Sequence, residues 1–266
     1  MQNNIHGFYK WVLPLKGDLF NSLSSIIDFE DLGKGRKGNH LVKVEDGTVP
    51  LVRTTSKYGK PAHTFSKIHD AIAETIISGI KTSTDLQGAL PLFNNALIEI
   101  YEKSYFKMKY HSDQALDLAK DSYVALFSCY EQPNEVNPSL QRRLRIRDKV
   151  TKEEYEFLLE NNSVVLFPLA TNSKYQHKII LDTSSNKKDM LEDNRWLGIT
   201  FRKSKTLIRF KNDQPYFENG ELLTVADENQ QREFYKLRGE ENKSLDFNYP
   251  WIGYTISKSD TLFPIP

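Results

Sequence analysis

Three side chains in this sequence have the types and order needed to hold a metal ion. His111 and Asp113 lie two residues apart at the end of a strand-like run, and in a β-strand residues i and i+2 project from the same face. His177 opens a later strand-like run. Two imidazoles and one carboxylate on one side of a metal leave its other positions open, which is typical of non-haem Fe(II) sites that react with oxygen. The pattern therefore predicts a metal site built from these three residues.

The pair of His111 and Asp113 is weak support when it is taken alone. The chain has six histidines, so one histidine two residues from an aspartate is expected by chance. The order of later residues strengthens the prediction, because Arg195 and Arg202 follow His177 and arginine binds carboxylates through two parallel hydrogen bonds. The alternative of a different class is a jelly-roll binding module whose histidines and aspartate are structural, or hold another metal without turnover.

Composition excludes several classes of protein. The chain has 266 residues, enough for a substantial core, and its formal net charge of +1 gives no overall attraction to nucleic acid or to a membrane surface. Cys129 is the only cysteine, which excludes an intrachain disulfide and cysteine-based zinc modules. The N-terminal segment has no continuous apolar run, and no stretch approaches the roughly 18 apolar residues of a spanning helix. We therefore expect a cytoplasmic protein.

The hydrophobic pattern predicts a mainly β protein with flanking helices, of the α+β class. Apolar residues recur at helical spacing over 65–80 and after Asp18, a suitable N-cap, and a further helix is expected over 227–238. Thr151 and Glu154 form a capping-box pattern that predicts another short helix. Many short strands separated by turns favour a sandwich or a jelly-roll barrel. Strands are predicted at 96–102, 105–111, 122–130, 140–147, 163–169, 177–181, 196–202 and 207–211.

In the order of these residues the chain resembles the AlkB-like branch of the Fe(II)/2-oxoglutarate-dependent dioxygenases. The segment 195–202 is similar to that branch's Arg-x-Asn-Leu-Thr-Phe-Arg signature, and the resemblance covers about 92–211 with a fainter match at 53–59. The residues that carry the resemblance are Ile100, Tyr101, His111, Asp113, His177, Arg195 and Arg202.

The resemblance implies a double-stranded β-helix, a cupin-like jelly roll, with the metal inside one end. The three metal-site residues would bind Fe(II), and O2 would take a remaining position on the metal. Tyr101, Arg195 and Arg202 would bind the cosubstrate 2-oxoglutarate. Glu99 stands where the family usually has asparagine, so we expect it to pair with one of the two arginines unless Asn95 replaces the amide.

The implied reaction is oxidative dealkylation of an alkylated base in DNA or RNA, in which an oxidised N-methyl group leaves as formaldehyde. The fainter match resembles the nucleotide-recognition lid, and it lies in a glycine-rich, basic segment that is equally well interpreted as an ordinary solvated loop. Within the lid, Arg53, Thr55 and Tyr58 are the substrate candidates.

Two departures from the family pattern bear on function. Arg195 and Arg202 are seven residues apart rather than six, which places them on opposite faces of a regular strand unless a β-bulge near Gly198 intervenes. Ala115 stands where AlkB-type repair enzymes have an acid that holds the lesion base, although Asp117 is close in sequence. The alternative function is a 2-oxoglutarate-dependent hydroxylase that acts on a protein side chain or a small molecule.

We divide the chain into three parts. Residues 1–91 contain the N-terminal helices and the substrate lid, residues 92–212 form the catalytic double-stranded β-helix, and residues 213–266 are a C-terminal extension packed on the core.

Overall fold

Two β-sheets face one another across an apolar core, and helices cover the outer side of the larger sheet. The computed structural model describes residues 3–81, 90–106, 108–135, 141–181 and 194–266. Within them, strands predominate over helices and most strand pairs are antiparallel. The mainly β fold class with a two-sheet jelly-roll core is confirmed.

The bounds of the elements are as follows. The first strands are β1 (Asn3–Ile5), β2 (Phe8–Val12), β3 (Glu30–Asp31), β4 (Arg36–Val42), β5 (Thr48–Leu51), β6 (His63–Thr64), β7 (Asn95–Tyr101) and β8 (Tyr123–Tyr130). The later strands are β9 (Arg142–Asp148), β10 (Glu154–Leu158), β11 (Ser163–Pro168), β12 (Tyr175–Leu181), β13 (Trp196–Arg202), β14 (Thr206–Lys211), β15 (Gln214–Phe217), β16 (Thr224–Val225) and β17 (Tyr254–Thr255). The α-helices are α1 (Leu19–Ser24), α2 (Lys67–Lys81), α3 (Leu169–Lys174) and α4 (Glu228–Glu241). Across the described ranges, no helix combines the length and the apolar character needed to cross a membrane.

The larger sheet has the strand order β1-β2-β11-β8-β13-β7-β4-β3, with β6 paired to β4. The smaller sheet that faces it has the order β10-β9-β12. Two further small sheets, β15-β14-β5 and β16-β17, lie outside this pair. Five strands of the larger sheet come from the first 64 residues, which precede the predicted catalytic core at 92–212. They are β1, β2, β3, β4 and β6.

The central strands are apolar on both faces because both faces are covered. On β8, Ala125 and Phe127 belong to the core beneath the helices, whereas Val124 and Leu126 belong to the core between the sheets. Ile76 of α2 is fully buried in the first of these cores. A strand covered on both sides reads as a continuous apolar run, which is the pattern that the sequence has here.

Strand β9 is covered on one face only. Leu144 and Ile146 point into the core between the sheets and are about 1% exposed. Arg143, Arg145 and Arg147 alternate with them and are half-buried on the outer face. The alternation that the sequence predicts for this strand is present, although residue 140 lies outside the described residues.

Two predicted elements differ in the structure. Thr151 and Glu154 do not open a helix: the Asp148 carboxylate accepts the backbone N–H groups of Val150 (2.6 Å) and Thr151 (2.9 Å), which makes a turn. The chain then returns as β10, because a tight turn after β9 favours antiparallel pairing over a helix. The strand predicted at 105–111 is reduced to a single bridge at His111 in the described part of that segment, and residue 107 lies outside it.

Candidate active site

The smaller sheet brings His111 and His177 together. The backbone N–H of His111 donates to the carbonyl of His177 at 3.0 Å, and the N–H of His177 donates back at 2.6 Å. Residues directly opposite one another in an antiparallel pair project to the same side. The two imidazole rings accordingly lie 4.7 Å apart between their centroids.

Asp113 completes a group of three possible metal ligands. One donor atom from each of His111, Asp113 and His177 lies within 4.8 Å of the other two, and His177 Nε2 is 3.4 Å from Asp113 Oδ1. In the part of the chain that the structure describes, no other group of His, Cys, Asp or Glu side chains meets this condition. The donor set fits a ferrous ion because it supplies two nitrogens and one carboxylate from one side.

Side chains rather than a strand ladder hold Asp113 in place. The backbone N–H of Asp113 donates to Asn172 Oδ1, and Asn172 Nδ2 donates to the Asp113 carbonyl, both at 2.7 Å. The preceding residue, Ser112, donates its N–H to Asn242 Oδ1 (2.8 Å) and its hydroxyl to the Tyr175 carbonyl (3.0 Å). Neither asparagine was predicted from the sequence. In the sequence each is only an asparagine within or just after a helix, which is too common to single it out.

The surroundings favour the protonation states that bind metal. Burial lowers the pKa of His111 to about 3, with His177 beside it acting in the same direction, so His111 is neutral near pH 7. Burial opposes ionisation of Asp113, but Arg202 and a hydrogen bond from His177 hold the pKa of that carboxyl well below its usual range. Arg202 Nε donates to Asp113 Oδ2 at 2.9 Å, and both side chains are buried. The site therefore combines a neutral imidazole with a charged carboxylate.

A cavity of about 120 Å³ extends from the metal-ligand group between the two sheets. Such a volume is below the roughly 300–1,000 Å³ of pockets for drug-sized ligands, so it suits a small cosubstrate. Tyr101 is paired with Trp196, six positions before Arg202 on β13, and therefore lines the end remote from the metal-ligand group. The apolar wall is formed by Leu97, Leu126, Leu144, Phe167 and Ile179.

Glu99 pairs with an arginine, but with neither of the two that were expected. Arg36 Nε donates to Glu99 Oε1 at 2.7 Å, and Tyr101 donates its hydroxyl to Glu99 Oε2 at 2.7 Å. Asn95 does not replace the amide, since its Nδ2 donates to the Pro50 carbonyl at 3.2 Å. The role of Arg36 was not predictable from the sequence, because its position depends on the pairing of β4 with β7.

The prediction that Arg195 binds the cosubstrate is wrong in this structure. Strand β13 pairs with β7 and β8 in continuous register through Gly198, so the bulge that would have turned Arg195 inward does not form. Arg195 faces the helical side, where its Nε and Nη2 donate to the Glu131 carboxylate at 2.7 and 2.5 Å. Its guanidinium lies 5.2 Å from the Phe20 ring centroid. The odd gap between the two arginines decides this outcome.

The three substrate candidates of the lid lie in different environments. Thr55 is exposed at the cavity mouth. Arg53 lines the cavity, but its guanidinium donates hydrogen bonds to the Asp117 carboxylate. Asp117 is consequently unavailable to hold a base. Tyr58 is 1% exposed, with its ring centroid 4.5 Å from that of His40, so it has no free face on which to stack a base. The substrate roles of Arg53 and Tyr58 are therefore corrected to structural ones.

The C-terminal helix closes one side of the mouth. Arg238 of α4 lines the cavity, donates to the Glu241 carboxylate at 2.8 Å and also hydrogen-bonds the Ser112 carbonyl next to the metal-ligand group. Residues 213–266 therefore contribute at least one side chain, Arg238, to the cavity lining. No sequence motif marks Arg238.

Comparisons with known proteins give structural likenesses that include two solved structures. No protein-family model and no curated protein sequence matches the chain. The structure titled "The structure of OsALKBH1" is similar with a TM-score of 0.47 and 18% identity, covering 76% of this chain and 100% of that one. A prolyl-4-hydroxylase from Pseudomonas putida is similar with a TM-score of 0.43 and 14% identity, covering 74% of this chain and 94% of that one. At such TM-scores and identities, the function of this chain has to be inferred from the geometry of its own site.

Proposed function

We propose that this protein is an Fe(II)- and 2-oxoglutarate-dependent dioxygenase. The observation that carries the proposal is the group of His111, Asp113 and His177, whose donor atoms lie within 4.8 Å of one another at a small cavity with one apolar wall. When bound there, Fe(II) would supply the activation of oxygen that couples decarboxylation of 2-oxoglutarate to oxidation of a C–H bond.

The chain's own residues hold and shield the reactants. The two imidazoles and Asp113 bind the metal from one side, and the reciprocal bonds of Asn172 keep Asp113 in place. Arg202 contacts Asp113 through Nε, so its other N–H donors can bind a cosubstrate carboxylate beside the metal. The apolar wall lowers the local dielectric constant, which strengthens these charge-assisted bonds.

For the prime substrate, we propose a methylated base in DNA or RNA, as the resemblance to the AlkB-like branch implies. Arginine side chains on the outer face of β9, opposite to the face that borders the cavity, support this proposal, and two of them also pair with Glu156. The outer face of β9 carries Arg143, Arg145 and Arg147, and the last of these lies 4.0 Å from the ring centroid of Tyr110, the residue before His111. Basic side chains of this kind contact phosphates, and their contribution weakens with salt.

The alternative prime substrate is a protein side chain or a small molecule. Ala115 offers no acid to hold a base, and Asp117 is bound to Arg53. Tyr58 is buried and cannot stack a base from the lid. The lack of residues that would bind a base favours the alternative substrate. A comparison of turnover on the two kinds of substrate distinguishes them.

The test is the release of succinate and formaldehyde from purified protein supplied with Fe(II), ascorbate and 2-oxoglutarate. Methylated DNA and RNA oligonucleotides form one arm, and methyl-lysine peptides with proline-containing peptides form the other. We expect succinate and formaldehyde in equal amounts with an oligonucleotide, decreasing as salt rises. Asp113→Ala is the control that lacks a metal ligand. Succinate release equal to that control in every arm would refute the dioxygenase class, whereas turnover confined to peptides would refute the nucleic-acid substrate.

A further inference from the structure

One of the arginines that line the cavity, Arg36, lies at the end remote from the metal-ligand group. Arg36 on β4 is directly opposite Tyr101 on β7, which is in turn opposite Trp196 on β13. Trp196 is six positions before Arg202, and an even gap along a strand keeps two side chains on one face. Arg36, Tyr101 and Trp196 therefore lie side by side across three strands at the remote end of the cavity. An arginine six residues before Arg202 would occupy the position of Trp196, so Arg36 can take the place of such an arginine.

The other arginines are poor candidates for binding a ligand at that end. Arg195 is on the far face of β13, bound to Glu131. Arg53 is held by the Asp117 carboxylate and by two backbone carbonyls. Arg238 is at the mouth with its own carboxylate, Glu241. Arg36, by contrast, makes its hydrogen bonds to one oxygen, Glu99 Oε1, through Nε at 2.7 Å and Nη2 at 2.5 Å.

Two neutral tyrosine hydroxyl groups lie beside Glu99, the partner of this arginine. Tyr101 donates to Glu99, and Tyr58 has a buried hydroxyl without a hydrogen-bond partner. A side chain added at Gly38 would meet both the Tyr58 hydroxyl at 3.0 Å and Glu99 Cγ at 3.3 Å, so this hydroxyl lies beside Glu99. Burial raises the pKa of both tyrosines, which keeps them as neutral donors. Tyr101 therefore helps to fix Glu99, and through it Arg36, whose remaining N–H groups can bind a carboxylate.

The charges of the cavity also point to a dianion. Arg36 and Arg202 contribute two positive charges, and Glu99 and Asp113 contribute two negative charges, so the four cancel. A ferrous ion adds two positive charges in a low-dielectric space, and a ligand with two carboxylates restores neutrality. A keto acid with one carboxylate leaves one positive charge uncompensated.

We propose that Arg36 binds the distal carboxylate of the keto acid, so that a strand from the N-terminal part of the chain selects a dicarboxylic cosubstrate. This inference rests on the proposed function. Glu99 accepts hydrogen bonds from two of the five N–H groups of the guanidinium and thereby orients the others, while Tyr101 holds Glu99 in place. The cosubstrate's two ends are then bound by arginines on different strands, Arg36 on β4 and Arg202 on β13.

The test compares 2-oxoglutarate with 2-oxopentanoate, which has the same chain length but no distal carboxylate. Binding is measured by calorimetry and by ligand-induced stabilisation on protein loaded with Mn(II), without turnover. Because removing Arg36 alone leaves Glu99 buried without a cation, the variant is Arg36→Met combined with Glu99→Gln, which keeps the acceptor for Tyr101. Arg195→Met is the matched control.

We expect the wild type to bind 2-oxoglutarate more tightly than 2-oxopentanoate, and the double variant to lose roughly 10- to 100-fold in affinity for 2-oxoglutarate alone. Arg36→Lys keeps the charge but not the fork and should lie between the two. Arg195→Met should match the wild type with both acids. Equal discrimination by the wild type and the double variant overturns the role of Arg36 and leaves the dioxygenase proposal standing. A wild type that binds neither acid overturns both.

Discussion

Replacing Arg53 with methionine is expected to destabilise the whole fold rather than to weaken substrate binding selectively. Arg53 is 2% exposed. Its backbone N–H and Nε donate to Asp117 Oδ2 at 2.8 and 3.0 Å, and its Nη2 donates to Asp117 Oδ1 at 2.7 Å. Its Nη1 donates to the carbonyls of Ile252 and Tyr254 at 2.7 and 2.9 Å. One guanidinium thus joins the lid segment, the loop after the metal-ligand group and the C-terminal segment.

The size of the effect follows from the charge that is left behind. In Arg53→Met, the Asp117 carboxylate stays buried and keeps only the backbone N–H of residue 53 and the Thr206 hydroxyl, a 2.8 Å bond. Removing one partner of a buried ion pair costs about 3–5 kcal/mol. At roughly 2–4 °C per kcal/mol for a chain of this size, the melting temperature should fall by about 6–20 °C.

Thermal unfolding, followed by far-ultraviolet circular dichroism, measures this effect directly. Thr55→Ala is the matched control, because Thr55 is exposed at the same mouth and a surface change of this kind stays within about 0.5 kcal/mol. A melting temperature unchanged in Arg53→Met, together with loss of affinity for the prime substrate, would show that Arg53 is a substrate ligand and that its place in the fold has been misjudged.

Three further predictions concern pH, packing and metal. Burial raises the pKa of Asp260 from 3.8 to about 7, so its contribution to stability is complete below pH 3.8 and is lost as pH rises through 7. In urea unfolding, the free energy of unfolding of Asp260→Asn relative to the wild type should therefore be higher at pH 8 than at pH 4 by up to about 4 kcal/mol. The same pH dependence of the free energy of unfolding in both proteins would refute this prediction. Gly198→Ala should cost about 1–3 kcal/mol in the same assay because the new Cβ overlaps the buried Trp196 ring, whereas Gly239→Ala, on an open helix face, should stabilise by about 0.5–1 kcal/mol; equal effects would contradict the packing. Anaerobic Fe(II) at a hundredfold excess over its Kd should add about 2.7 kcal/mol to the free energy of unfolding, and the same gain in Asp113→Ala would place the metal elsewhere.

Much of the fold was predictable because strand periodicity is local. The alternation of Leu144 and Ile146 with arginines on β9 marks a strand with one covered face, and the apolar run of β8 marks one with two. The same two-residue periodicity already indicated that Arg195 faces away from Arg202, since a gap of seven residues places the two side chains on opposite faces of a strand. The failure at 151–154 is also local, because the Asp148 turn provides the N–H groups with a different acceptor.

By itself, the sequence determined the chemistry: it contained two histidines, one aspartate and Arg202 in an order that suits a metal and a carboxylate. Only the tertiary structure decided what surrounds them. Asn172 hydrogen-bonds the backbone of Asp113, 59 positions away in sequence, and Arg36 hydrogen-bonds Glu99, 63 positions away. Periodicity along a strand determines which face a side chain takes, but it carries no information about which distant strand lies next to it, and that pairing made Arg36 part of the cavity.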